Sequence, residues 1–281
     1  GGIDAMMATV LKMLRVDVRK EAAKLAATEE FAGRPPFQLF DEDSIIQVLQ
    51  DFYDYSGAPY VFVIDEWDCL MRETAEDEVS QRRDLDFLKT LLKDRAYVAL
   101  AYMTGILPVK KYGAQSALNM FLECSMEDAL GFAEFTGFTQ DETAALCERY
   151  GLDFNEARVW YDGYRVNGIP IFNPRSIVQL CLSRRFANYW TRTETYESLK
   201  APLMLGLDGL HEKVERLMAG DRVELNTLRF QNDMTHIHSA DDVLTLLLHL
   251  GYVTYDGDTK TCWIPNNEVA VEFVNSIEGE A

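Results

Sequence analysis

The segment YVFVIDE, residues 60–66, joins a continuous apolar run to two adjacent carboxylates, Asp65 and Glu66. Uninterrupted runs rich in β-branched and aromatic residues are typical of strands buried on both faces of a parallel sheet. A second run of this kind, residues 97–103, follows a charged segment with helical character, residues 79–93. Because one crossover helix usually returns the chain to the same sheet, this order predicts an α/β fold with two neighbouring parallel strands.

Further elements are expected on either side of this pair. Residues 6–27 and residues 44–55 are each expected to form a helix, and Gly57 is expected to end the second one. A Gly-Arg-Pro-Pro sequence at 33–36 predicts the loop between the two helices. Residues 121–126 are expected to form a weaker third strand.

After about residue 132 the pattern changes to helices. A final helix, hairpin and helix, with the turn at Asp256-Gly257-Asp258, is compatible with a winged-helix-like unit. We therefore expect two domains, residues 1–131 with the parallel sheet and residues 132–281 with a helical, winged-helix-like region. The predicted helices of the second domain are 139–150, 154–161, 174–183, 196–205, 210–219, 240–250 and 267–277, and its predicted strands are 252–255 and 261–264.

An apolar strand that ends in Asp-Glu is the Walker B pattern. The carboxyl ends of parallel strands are where ligands bind in open α/β sheets. There Asp65 can hold a hydrated Mg²⁺ through water, and Glu66 can orient an attacking water molecule. A strand that simply ends in solvated acidic residues is the open alternative.

The matching phosphate-binding loop is not in this sequence. A P-loop needs Gly-x-x-x-x-Gly-Lys-Ser/Thr, because backbone amides and the lysine must surround the phosphates. The chain contains no Gly-Lys dipeptide. The chain alone is therefore expected to bind nucleotide weakly, to hold no cofactor tightly and to hydrolyse no ATP.

Five blocks of sequence resemble, in order and spacing, the predicted AAA-ATPase-like family of bacterial P-loop ATPases. The blocks are YVFVIDEWD (60–68), ALAYMTGILPVKKYG (99–113), FTGFTQDE (135–142), WYDGYR (160–165) and IFNPRSI (171–177). Many members of that family carry a PD-(D/E)XK-type nuclease domain at the carboxyl end. The resemblance implies that ATP and Mg²⁺ are the cofactors of a full-length parent, and that this chain is a piece of it without the Walker A loop and the nuclease.

The resemblance also implies roles for single residues. Asp65 and Glu66 match the Walker B pair, and Thr104 matches the polar sensor of the γ-phosphate, although Thr104-Gly105 can equally be a turn that ends the strand. Arg165 is a candidate nucleotide contact. The favoured interpretation of the WYDGYR block is that Trp160, Tyr161 and Tyr164 pack a domain junction around a turn at Asp162-Gly163. Many relatives have an arginine after the Thr-Gly pair, where this chain has Leu107-Pro108 and then Lys110-Lys111. An arginine sensor is therefore not expected there, and the two lysines can be solvated or face phosphate.

Composition limits the remaining function classes. The net charge of −19, from 46 acidic and 27 basic residues, makes nucleic acid an unexpected partner for this chain alone. No apolar run reaches the roughly 18 residues of a membrane helix, and five scattered cysteines indicate free thiols in a reducing cytoplasm. His236 and His238 are weak metal candidates without a third ligand, and His249 fits a helix core.

Three functions remain open at this point. The first is a nucleotide-switch ATPase module, and the second is a protein-interaction scaffold with a degenerate ATPase core and an unknown protein partner. A nuclease is the weakest, since residues 97–103 offer no Glu-x-Lys on the following strand.

Overall fold

The computed structural model describes residues 2–40, 43–69, 78–106, 118–190, 199, 202–230 and 237–278. These residues form a mixed α/β structure with nine α-helices and three small β-sheets, one of them a parallel pair. They divide into two compact units, which we call unit 1 (residues up to 106 with 118–121) and unit 2 (residues 122–278).

Unit 1 contains three helices and the parallel pair. The helices are α1 (Gly2–Ala26), α2 (Ile45–Ser56) and α3 (Glu78–Leu92), and the strands are β1 (Tyr60–Ile64) and β2 (Val98–Met103). All five elements agree with the sequence predictions to within a few residues. Local signals fix them: Ser44 Oγ accepts a hydrogen bond from Gln47 N at 3.2 Å to start α2, and Gly57, in the left-handed region at φ 71°, ends it.

Strands β1 and β2 are parallel, as predicted, with Val61 opposite Leu100 and Ile64 opposite Met103. The core side of the pair carries Tyr60, Phe62 and Ile64 from β1, and Val98, Ala101 and Met103 from β2. The helices pack on this side through apolar residues that form one cluster with the strands, among them Met7, Leu14, Ile46, Leu49, Phe87 and Leu91.

The opposite face of this sheet is open, so the expectation of strands buried on both faces is wrong for the described residues. Val61 is 62% exposed, Val63 72%, Leu100 57% and Tyr102 60%. The physical reason is that α1, α2 and α3 all contribute to the apolar cluster on the core side. An apolar run shows that both faces are suited to burial, but it does not show that this chain supplies both covering layers.

The predicted third strand at residues 121–126 does not form. The chain is irregular there, and Leu122 is 76% exposed. Ser125 begins a turn instead, because its hydroxyl accepts hydrogen bonds from Glu127 N at 3.1 Å and Asp128 N at 3.4 Å. The turn diverts the backbone from strand pairing.

The described residues of unit 2 form six α-helices, several of which begin at a local sequence signal. Thr139 caps one of them through a capping box with Glu142, and Ser239 forms a second box with Asp242. Half of the predicted helix at 196–205 lies outside the described residues, and residues 199, 202 and 203 are helical. The six helices are α4 (Gln140–Tyr150), α5 (Phe154–Tyr161), α6 (Pro174–Ser183), α7 (Leu210–Met218), α8 (Ala240–His249) and α9 (Asn267–Glu278).

Two small antiparallel sheets complete unit 2. The first is a hairpin of β3 (Tyr164–Val166) and β4 (Ile169–Ile171), and the second has the order β5-β7-β6, from Val223–Glu224, Thr261–Trp263 and Thr254–Asp256. The predicted terminal hairpin is confirmed, although its first strand starts two residues later than expected. Its turn is longer than a two-residue turn because the Asp256 carboxylate accepts the backbone N–H groups of residues 258 and 259.

The helices and sheets of unit 2 enclose two apolar cores. The first core lies among α4, α5 and α6 and includes Tyr161, Phe172 and Leu180. The second core lies among α7, α8, α9 and the strands, and includes Leu244 and Phe273.

Candidate functional site

The candidate site lies at the carboxyl ends of β1 and β2. The parallel ladder continues one step past the strands, since Thr104 N donates to Ile64 O at 2.9 Å. The next residue of the first strand is Asp65, and the Thr104 hydroxyl donates a hydrogen bond to its Oδ1 atom. Two of the predicted site residues, 39 positions apart in the sequence, are therefore in direct contact.

Glu66, the third predicted residue, turns the chain out of the strand. Its φ of 51° lies in the left-handed region, which costs a non-glycine residue roughly 1–2 kcal/mol. Its backbone N–H compensates by donating to Asp65 Oδ1 at 3.1 Å and to Thr104 Oγ1 at 3.4 Å, and its carbonyl accepts from Cys69 N at 2.9 Å. Strain that the surroundings maintain in this way is common at functional sites.

The arrangement suits a hydrated divalent cation and an activated water molecule. The carboxylates of Asp65 and Glu66 are both exposed to solvent. The described residues contain no group of three or more His, Cys, Asp or Glu side chains that could hold a metal directly. Mg²⁺ usually keeps several waters and binds through one or two carboxylates and substrate phosphates, so this edge of the sheet fits Mg²⁺ only together with a nucleotide.

Thr104 has a narrower role in this arrangement than the sensor assignment implies. A hydroxyl has one proton to donate, and the Thr104 hydroxyl donates it to Asp65. In the structure Thr104 therefore orients Asp65. To contact a γ-phosphate as a donor, it would have to exchange this partner for the phosphate.

Sequence reasoning assigned no role to Trp67, Asp68 and Gly105, which join the two loops. Trp67 N donates to Thr104 O at 2.9 Å, and the carboxylate of Asp68, which is fully buried, accepts from Ile106 N at 3.1 Å. The only sequence signal was their place in the blocks YVFVIDEWD and ALAYMTGILPVKKYG. The pattern of residue types does not reveal which backbone group a buried aspartate will contact.

The tyrosines of the WYDGYR block pack inside unit 2, in its two different cores. The packing is therefore as predicted, whereas its place at a domain junction stays a prediction. Tyr161 belongs to the first core and donates its hydroxyl to Ala187 O at 2.9 Å. Tyr164 belongs to the second core and donates its hydroxyl to Gly251 O at 2.9 Å. Between them the backbone turns at Gly163, whose φ is 117°.

Arg165 is held by its immediate neighbours in unit 2. Its Nη1 atom donates to Tyr164 O at 3.1 Å and to Asp162 Oδ1 at 3.4 Å, and its backbone N–H donates to Thr254 Oγ1 at 2.9 Å. These contacts account for its position, and a contact with nucleotide stays a prediction. Lys110, Lys111 and His236 lie outside the described residues.

His249 is buried, as predicted for a core histidine, although its Nε2 atom has no hydrogen-bond partner among the described residues. Its side chain is 4% exposed, and its ring stacks on Phe230 with ring centroids 6.1 Å apart. Burial lowers the pKa of His249 to about 4, so the imidazole is neutral at physiological pH. Its Nε2 atom lies 3.6 Å from Glu127 Oε1, too far for a hydrogen bond.

Comparisons with known proteins add little to these findings. No family model matches the chain, and no solved structure matches it. The chain is similar to an "Uncharacterized protein in vnfD 5'region" of Azotobacter chroococcum mcd 1, with 26% identity over 208 residues. The similarity covers 72% of this chain, and the chain spans about 40% of the length of that curated relative.

Two whole-chain features complete the description. Within the part of the chain that the structure describes, no helix is both long enough and apolar enough to cross a bilayer. The five cysteines are free thiols, and those at 147, 181 and 262 are buried.

Proposed function

We propose that this chain is the Walker B-bearing part of a P-loop, AAA-like ATPase module that acts as a nucleotide switch in a longer protein. The observation that carries the proposal is the hydrogen bond between Thr104 and Asp65 at the carboxyl ends of two neighbouring parallel strands. P-loop ATPases place a metal-holding aspartate and a polar residue of the adjacent strand at this edge of the sheet.

The open face of β1 and β2 supports the view that the two strands belong to a larger parallel sheet. Parallel sheets occur almost only with both faces covered, and a two-stranded sheet is at best marginally stable by itself. The curated relative is longer than this chain, which covers 40% of it. We place the phosphate-binding loop in a part of the protein outside these 281 residues, and the layer that covers this face outside the residues that the structure describes.

Each site residue then has a distinct task. Asp65 holds water molecules of a nucleotide-bound Mg²⁺, and the Thr104 hydroxyl keeps its carboxylate in position. Glu66, turned away from the strand by its left-handed backbone, orients the attacking water and accepts its proton. ATP and Mg²⁺ supply the reacting phosphate and the charge that neutralises it.

Unit 2 takes the role of a lid and regulatory arm in this proposal. Helix α8, the β6–β7 hairpin and helix α9 follow the helix, hairpin, helix order of a winged-helix-like unit. We infer a positioning function and not DNA binding, because residues 252–281 contain one lysine and no arginine. Arg165 is the nucleotide contact that we assign to this unit, the cytoplasm is the proposed location, and an unidentified protein is the proposed partner of the switch.

The first test uses this chain alone. Calorimetry with ATP and Mg²⁺ should detect at best weak binding, because each charge-assisted hydrogen bond of the missing phosphate loop is worth roughly 1.5–3 kcal/mol. Micromolar affinity would mean that nucleotide binds somewhere other than at Asp65.

The second test uses a longer protein that carries the phosphate loop. Glu66→Gln should preserve ATP binding and slow hydrolysis about 100-fold or more, because only the water-orienting carboxylate changes. Asp65→Ala should instead weaken Mg²⁺-dependent binding. Glu29→Gln, which changes an exposed glutamate of the same unit, is the control and should leave both quantities unchanged. An unaltered rate for Glu66→Gln would remove the Walker B assignment.

The alternative function is a protein-interaction scaffold with a degenerate ATPase core. The open apolar face of β1 and β2 favours it, because an exposed apolar patch is also how a protein-binding surface looks. The two functions can be distinguished in the longer protein. A scaffold binds its partner equally well with and without ATP. The affinity of a switch for its partner changes with ATP, by the ratio of the partner affinities of the ATP-bound and ATP-free states.

A further inference from the structure

The loops that follow β1 and β2 are tied together beyond the end of the sheet. The last ladder bond runs from Thr104 N to Ile64 O. After it, Trp67 N donates to Thr104 O at 2.9 Å, and Asp68 Oδ2 accepts from Ile106 N at 3.1 Å. The loop that carries Asp65 and Glu66 therefore holds residues 104–106, which we call the Thr104 loop, on both sides of the threonine.

Gly105 shows how closely the two loops approach. A Cβ atom at this position would lie 2.5 Å from Trp67 Nε1 and 2.8 Å from Asp68 Oδ1. Both distances are shorter than van der Waals contact, so a larger residue requires Trp67 or Asp68 to move. Because Trp67 and Asp68 are both buried, neither can swing into solvent without disturbing its surroundings.

The carboxylate of Asp68 is an unusual choice for a packing role. Aspartate is rarely fully buried unless it is paired, because removing a carboxylate from water is unfavourable. An apolar residue of similar size would fill the same space. What the carboxylate adds is a charged acceptor for the backbone N–H of Ile106, and charge-assisted hydrogen bonds are stronger and more directional than neutral ones.

We propose that Asp68 is a positioning residue that fixes the Thr104 loop against the loop of Asp65 and Glu66. Its hydrogen bond to Ile106 N sets where the Thr104 hydroxyl lies, and the hydroxyl in turn orients the Asp65 carboxylate. Gly105 is the space that this contact requires. The geometric part of the proposal stands on the described contacts, and its consequence for turnover rests on the proposed ATPase function.

The geometric part is tested on this chain by hydrogen exchange of the amides of residues 104–106. Asp68→Ala removes the acceptor, and these amides should then exchange about tenfold faster, since the loop opens locally more often. Asp68→Asn keeps an oxygen of nearly the same position and should show a smaller increase. Gly105→Ala should raise exchange at the same amides with Asp68 unchanged.

The control is Asp242→Asn, which alters another buried aspartate whose carboxylate accepts backbone N–H groups, at the start of α8 in unit 2. It should leave exchange at residues 104–106 as in the unaltered chain. Unchanged exchange at these residues in both Asp68→Ala and Gly105→Ala overturns the proposal, whatever the parent protein does.

The functional part is tested in the longer protein with the phosphate loop. Asp68→Asn should lower kcat for ATP at least about tenfold and leave KM within about twofold, because the catalytic geometry changes and the phosphate cradle does not. Loss of stability alone would give no such split, and Asp242→Asn should show none. Unchanged kcat for Asp68→Asn and Asp68→Ala overturns the positioning role. A parent without any ATP turnover, together with the predicted change in exchange, supports the loop contact and refutes the proposed ATPase function instead.

Discussion

Replacing Gly163 with alanine should be among the most damaging single-methyl changes in unit 2. Gly163 has a φ of 117°, and a Cβ atom there would lie 1.8 Å from Pro265 O. The backbone conformation alone costs alanine about 1–2 kcal/mol. A C···O contact needs about 3.3 Å, so Pro265 must also retreat by more than an ångström.

That movement reaches the second core of unit 2. Pro265 precedes Asn266, whose Oδ1 atom accepts from Val269 N at 3.0 Å in the first turn of α9. Helix α9 buries Val269 and Phe273 completely. Displacing such a helix resembles overpacking a core, which typically costs about 1–3 kcal/mol. The two effects together predict a loss of about 2–5 kcal/mol, a large part of the 5–15 kcal/mol by which domains are usually stable.

Gly168→Ala is the matched control. Gly168 also has a positive φ, 77°, but no atom lies within 4 Å of its added Cβ, so its replacement should cost about 1 kcal/mol from the backbone alone. The losses of both variants can be measured by urea denaturation followed by tryptophan fluorescence. Trp67 is replaced by phenylalanine in each protein so that the signal comes from unit 2, where the other three tryptophans lie. Equal losses for the two variants, within about 0.5 kcal/mol, would refute the argument that the Pro265 contact makes Gly163 necessary.

Three further predictions concern other parts of the molecule. Burial raises the pKa of Asp84 to about 6, so the protonated carboxyl contributes fully to the stability of unit 1 below pH about 4, and this contribution is lost as the pH rises through 6. Asp84→Asn should therefore raise the free energy of unfolding by about 1–2 kcal/mol at pH 7.5 and change it little at pH 4. Denaturation at the two pH values measures the difference. Tyr164→Phe removes the hydrogen bond to Gly251 O and should destabilise unit 2 by about 1 kcal/mol in urea melts. A loss below the error of the melt would contradict a stabilising role of this hydroxyl at the second core. Val63→Ser on the open face should cost this chain under about 0.5 kcal/mol, whereas Phe62→Ala on the core face should cost about 2 kcal/mol or more; equal losses would mean that the open face is already covered.

Local signals explain why most of the helices could be predicted. The capping box of Thr139 and Glu142, and the glycine that ends α2, are properties of neighbouring residues, and they form the same hydrogen bonds in any fold that permits a helix. The β3–β4 hairpin was missed although Asn167-Gly168, with φ values of 50° and 77°, is a preferred two-residue turn. Its strands have only three residues each, too few to show alternation.

The candidate site was predictable in part, from the topology of the sheet. Asp65 and Thr104 could be brought together from sequence because the carboxyl ends of adjacent parallel strands meet at one edge. The contact between Asp68 and Ile106 could not, because it depends on the paths of two loops after the sheet ends. The uncovered sheet face was also out of reach, since an apolar residue is equally apolar whether its partner belongs to this chain or to another segment.

The open face bears directly on how the site should be studied. Asp65 and Glu66 are exposed to solvent at the end of a strand whose neighbouring side chains, Val61 and Val63, are also exposed. Water therefore has access to the whole edge, and in water two charges interact several-fold more weakly than they do near a protein surface with an effective dielectric constant of about 20. Whatever covers this face would exclude water and strengthen the interaction of both carboxylates with a cation. An affinity for Mg²⁺ measured on the 281 residues alone is consequently a lower bound on the affinity of the covered site. The informative comparison is between this chain and the longer protein, each carrying the same substitutions at Asp65 and Glu66.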